Sequence, residues 1–139
     1  LLQHLDAFVA GDLTGEPQDD AAASCAPRLV KTDGQIDWQQ PAKAIHNHVR
    51  AMHPWPHAFT HLDGTRYVLH RTAVTTHSVT GQPGQILESA GRLLVAAGEC
   101  SVIEVLAIQP DGRHVMATAA FLAGHALSTG AIFASRSPR

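Results

Sequence analysis

The residue type best suited to chemistry in this chain is histidine, of which there are ten in 139 residues. His46, His48, His53, His57 and His61 crowd one stretch. Neutral imidazole binds transition metals, but a zinc site needs three or four ligands converging at ~2.0–2.1 Å. His46 and His53 fall on one helical face and His48 does not, while no C-x-x-C or H-E-x-x-H motif supports them. From sequence these are surface or lightly buried imidazoles, and no metal is expected. Cys25 and Cys100 form no C-x-x-C, and read as free, buried thiols of a reducing cytosol. Serines lie in no G-x-S-x-G elbow, no P-loop is present, and no catalytic residue is assigned.

The second kind of chemistry is electrostatic. Arg28 and Lys31 form a basic pair able to meet phosphates, with two solvated surface charges as the plainer reading. The turn Pro110-Asp111-Gly112-Arg113-His114 offers cations at a loop tip, and an ordinary polar turn would look the same. Lys43 and Arg50 share a helical face, with Arg50 placed to face nucleic acid or to pair with Asp37; the pairing is favoured. Trp38 and Trp55 flank the same helix and could stack on bases, but two core anchors are the expectation. A formal net charge of −2 runs against the basic excess usual in nucleic-acid-binding domains.

The elements that must carry these residues are legible in part. Leu1, Leu5 and Phe8 repeat at helical spacing, and residues 1–10 read as the last helix of an upstream domain. Residues 11–35 are broken by Gly and Pro and read as a linker. Pro41 opens a helix with Ala42, Ile45, Val49 and Met52 on its apolar face, and Asp37 and Gln39 as caps. Pro54-Trp55-Pro56 ends it. Residues 58–62 and 66–76 read as a hairpin about Asp63-Gly64. Strands follow over 85–88, 92–96 and 100–109, then a short helix over 117–122 closed by Gly124. Residues 36–134 thus make a mainly β domain with two or three helices, best fitted by an open, OB-like β-barrel. Residues 135–139 read as a frayed tail. At 45% hydrophobic and 16% charged the chain is not disordered. It carries no membrane-length apolar run and no signal-peptide pattern.

Ala26-Pro27-Arg28-Leu29-Val30-Lys31 followed by Ile36-Asp37-Trp38 begins an ordered series. It continues through Pro41-Ala42, Ile45, Val49-Arg50-Ala51, Pro54-Trp55-Pro56 and Ala58. It resumes at Pro83-Gly84 and Ile86-Leu87. Leu106, Gln109-Pro110, Gly112-Arg113, Met116, Ala119, Phe121-Leu122 and Gly124-His125 close it. Over residues 17–133 this series resembles the C-terminal domain of methionyl-tRNA formyltransferases. The resemblance implies an OB-like barrel that docks initiator Met-tRNA. It implies a partner N-terminal formyltransferase domain in cis that carries the catalytic residues and 10-formyltetrahydrofolate, with no cofactor in this stretch. The implied tRNA contacts are Arg28, Lys31, Arg50, Arg113 and His114. The implied setting is cytoplasmic. The alternatives are an accessory domain of a formyltransferase acting on a small amine, such as an amino-sugar nucleotide, or a purely structural barrel.

Overall fold

The computed structural model describes residues 4–13 and 15–135. Three α-helices and six strands run in the order α1 (Leu5–Ala10), α2 (Ala42–Ala51), β1 (Ala58–Leu62), β2 (Thr65–Ser78), β3 (Ile86–Glu88), β4 (Leu93–Ala96), β5 (Ser101–Pro110), β6 (Met116–Ala117) and α3 (Thr118–Gly124). The expected mainly β architecture is therefore present. No helix is long and apolar enough to cross a membrane among the described residues.

The sheet order is β1-β2-β5-β4-β3, all antiparallel, with β6 added beside β5. Asp63 and Gly64 join β1 to β2 with φ values of 48° and 77°. Two positive φ angles make the type I′ turn that matches strand twist, and Gly accepts one at no steric cost. The sheet curls until its two edges meet a common strip. On one side Ala134 N–H donates to the carbonyl of His61 at 2.8 Å. On the other, Phe133 N–H donates to Gly84 and Ile86 N–H donates to Ala131. Residues 130–134 thereby stitch β1 to β3 and close a barrel, which protects both edges.

The interior is filled by Ile36, Trp38, Ile45, Val49, Leu69, Ile103, Ile108, Phe121 and Phe133, each under 4% exposed. Trp38 stacks on Phe133 with centroids 5.7 Å apart. Its indole Nε1–H donates to Thr60 Oγ1 at 3.1 Å, and that hydroxyl donates to the carbonyl of Ala134 at 2.9 Å. The buried indole N–H and the Thr60 hydroxyl are thus both satisfied as burial requires. Ala42, Ile45 and Val49 form the buried stripe of α2. Its N-terminal cap is not Asp37 or Gln39. Pro41 occupies the cap position, and Ser101 Oγ accepts from Ala42 N–H at 2.8 Å. Asp37 instead accepts from Gln39 N–H, the Gln40 amide and the Ser135 hydroxyl.

Further expectations are corrected. Trp55 is no core anchor: its residue is 51% exposed, and the following Pro56 turns inward in its place. Cys25 and Cys100 are free but exposed, one on an extended segment and one in a turn. Arg50 makes no ion pair with Asp37, because ten helical residues, about 15 Å, separate the two ends of α2. Gly124 lies inside α3, which is capped by His125 in an extended conformation. The helix expected at the N-terminus is seen as α1, whose Leu5, Phe8 and Val9 are exposed; Leu1 and most of the expected tail lie outside the described residues.

Candidate functional site

One end of the barrel gathers cations and aromatic rings. The turn over Lys31–Gly34 brings the chain in, and Gln35 pairs with Phe59 of β1 as a parallel bridge. This sets Lys31 beside Phe59. From the neighbouring strand the Arg66 guanidinium lies over the Phe59 ring, 4.3 Å from its centroid. A cation over an aromatic face contributes about 0.5–1 kcal/mol at an exposed site, which orders the long arginine chain. Trp55 and Pro56 form the opposite wall. Together Lys31, Trp55, Pro56, Phe59 and Arg66 line an open cavity of about 460 Å³. Neither Lys31 nor Arg66 forms an ion pair with another described residue; the bridge among those residues joins Arg92 to Glu104 at 2.9 Å.

Of the residues expected from sequence, Lys31 lines this groove directly. Arg28 is exposed in the extended segment that leads to it. Arg113 and His114 are exposed just beyond β5, and their turn is tied to the groove, since Asp111 N–H donates to the carbonyl of Arg66 at 2.9 Å. Arg50 is exposed in the last turn of α2, which leads into the His53–Pro56 turn, and it is not among the residues that line the groove. Sequence reading missed Arg66 and Phe59. Their signal was the alternation of β1 and β2 about Asp63-Gly64, which sets His61 opposite Arg66 and Phe59 opposite Val68.

Behind the groove three imidazoles converge. The rings of His53 and His57 lie 5.5 Å apart, and those of His57 and His70 lie 4.9 Å apart. His46 instead bonds Thr72 at 3.0 Å and His61 packs edge-on against Phe59. Burial, with His70, His53 and Arg66 nearby in that order, holds the His57 pKa below the ordinary histidine value. Each of these effects favours the neutral form of His57.

The overall charge conceals this arrangement. Asp6, Asp12, Glu16, Asp19 and Asp20 all precede the first Lys or Arg of the chain. From Arg28 onward the chain carries ten Lys and Arg against seven Asp and Glu, a formal charge of +3.

Residues 28–126 match the family model of the formyl transferase C-terminal domain. The chain is 43% identical over 128 residues to the methionyl-tRNA formyltransferase of Geobacter sulfurreducens, covering 91% of this chain and 39% of that protein. It is 40% identical over 138 residues to the methionyl-tRNA formyltransferase of Citrifermentans bemidjiense, covering 98% and 42% respectively. The chain thus spans about two fifths of the length of these curated relatives. Among solved structures, HypX from Aquifex aeolicus superposes with a TM-score of 0.62 at 18% identity, over 88% of this chain and 22% of that one. A second crystal structure of HypX, in complex with tetrahydrofolic acid, gives 0.60 at 20% identity over 87% and 22%. These two share the fold. The family match over most of the chain, with relatives at this identity, shows that the chain belongs to the formyl transferase C-terminal domain family.

Proposed function

We propose that this domain docks the acceptor arm of initiator Met-tRNA for a methionyl-tRNA formyltransferase. The carrying observation is the groove of Lys31, Trp55, Phe59 and Arg66, which brings two cations together with the exposed Trp55 ring and the half-buried Phe59 ring. Cations that meet phosphates release counterions, and an exposed indole offers a sequence-tolerant platform for an end base. Arg28, Arg113 and His114 extend the positive field on either side, and Arg50 adds to it from α2. The names of the relatives support the substrate class. Phosphate contacts position without reading sequence. The barrel's task is therefore to hold the methionyl amine within reach of a catalytic domain in cis.

In that arrangement residues 1–10 belong to the catalytic domain, 11–35 are the linker, and 36–134 are the docking barrel. The donor, 10-formyltetrahydrofolate, does not fit this chain's interior, because Trp38, Phe121 and Phe133 fill it. We assign it to the catalytic domain.

Trp55 gives the sharpest test. Trp55→Ala is expected to weaken binding of initiator Met-tRNA by roughly tenfold, within the ~1–3 kcal/mol that one base–aromatic stack contributes. Stability should change by no more than about 0.5–1 kcal/mol, since the side chain is half out of the fold. Fluorescence anisotropy with labelled tRNA and urea unfolding read the two effects. Unchanged affinity would remove stacking from the reading. Failure of the unsubstituted chain to bind at low salt would turn the assignment toward a small-amine formyltransferase or a structural barrel.

A further inference from the structure

We propose that His53, His57 and His70 form a binding site for a divalent transition metal ion such as Zn2+. Each offers one ring nitrogen, and these nitrogens lie within 4.8 Å of one another. Three ligands on one ion at ~2.0–2.1 Å sit closer together than that limit. Small side-chain rotations close the difference, and His53 is exposed and free to make them. Imidazole is a ligand type that suits Zn, Cu and Ni. Three protein nitrogens leave at least one coordination position for water.

Two backbone irregularities bring the trio together. His57 sits at φ 66°, a region that L residues seldom occupy, directly after the turn that carries His53. His70 is the extra residue of a β-bulge: Leu69 pairs with Ile108 and Arg71 with Ala107, so no β5 residue stands opposite His70 in the backbone register. A bulge re-aims a side chain that a regular strand would point elsewhere.

The surroundings prepare His70 as a ligand. The Gln109 amide Nε2 donates to the carbonyl of Arg113 at 2.8 Å, which fixes the amide's orientation. Its Oε1 therefore faces His70 Nε2 at 2.8 Å, and only an N–H can donate there. His70 thus carries a proton on Nε2, and in the neutral ring Nδ1 is the nitrogen left to ligate. A ligating histidine whose second nitrogen donates to an oxygen is the usual support of a metal site. Arg66 is the nearby cation that opposes an ion here, and its guanidinium is held over Phe59.

Calorimetric titration of the chain with zinc chloride at pH 7.5 tests the site. The exposed thiols Cys25 and Cys100 are first replaced by Ser, because sulfur would compete. One equivalent of bound Zn2+ is expected. His53→Gln, His57→Asn and His70→Gln together should abolish it, with Asn chosen because it tolerates a positive φ. Gln109→Ala should weaken binding roughly tenfold, as loss of such a support does. His77→Gln, on an exposed part of β2, should leave it unchanged. Should the triple variant fail to fold, imidazole nitrogen NMR of the unsubstituted histidines decides. Zinc-induced shifts confined to His53, His57 and His70 support the site. Absence of stoichiometric binding, equal binding in a folded triple variant, or shifts spread over other histidines would overturn it.

Discussion

Trp38→Ala is expected to lower the unfolding free energy by about 3–5 kcal/mol, the range for emptying a buried aromatic site. The indole is completely buried and stacks on Phe133, a residue of the strip that closes the barrel. It also bonds Thr60, whose hydroxyl holds the carbonyl of Ala134 in the same strip. Removing it leaves a cavity and frees that strip from β1. Most domains are stable by only about 5–15 kcal/mol, so the variant should unfold at a much lower urea concentration. Circular dichroism against urea measures it. Trp38→Phe, which retains the ring contact and drops one hydrogen bond, should cost far less, on the order of 1–2 kcal/mol. A loss below about 1 kcal/mol for Trp38→Ala would mean that the closing strip holds without its anchor.

Gly34→Ala should destabilise by about 3 kcal/mol, the upper end for overpacking, because the obstacle is backbone. A Cβ placed on Gly34 would lie 2.1 Å from the carbonyl oxygen of His57 and 3.3 Å from Phe59 Cδ1. No side-chain rotation relieves the first contact. The bridge of Gln35 to Phe59 and the bond from Ile36 N–H to the carbonyl of Phe59 would have to open. Lys31 would then separate from Phe59 and Arg66, so tRNA affinity should fall along with stability. Thermal unfolding and anisotropy on the same preparation measure both. Full stability with intact binding would show that the incoming segment has room to shift.

How much of this was legible in sequence depended on how local the cause was. Asp63-Gly64 dictates its turn from two adjacent residues, and β1 and β2 followed. Ala42, Ile45 and Val49 show the helical period within one stretch, and the helix lies there. The cap of α2 was illegible because Ser101 is distant in sequence and reaches it only through the fold. The closing strip 130–134 makes isolated bridges rather than a strand, so it leaves no period to read. Trp38 and Trp55 flank the same helix, and only packing against Phe133 separates an anchor from an exposed ring. In the site, Lys31 could be named from its basic neighbour and from the family resemblance. Arg66 and His70 required the register of β1, β2 and β5, which no single segment encodes. The net charge misled because the acids lie together before residue 21, away in sequence from the cations that follow.

The most direct test of the docking role is the salt dependence of initiator Met-tRNA binding, for the chain and for its Lys31→Ala/Arg66→Ala variant. Each phosphate contact adds about one to the slope of log affinity against log salt. The account predicts binding at low salt that weakens steeply as salt rises, with a slope shallower by about two in the variant. Binding with an unchanged slope, or no binding by the chain even at low salt, would contradict it.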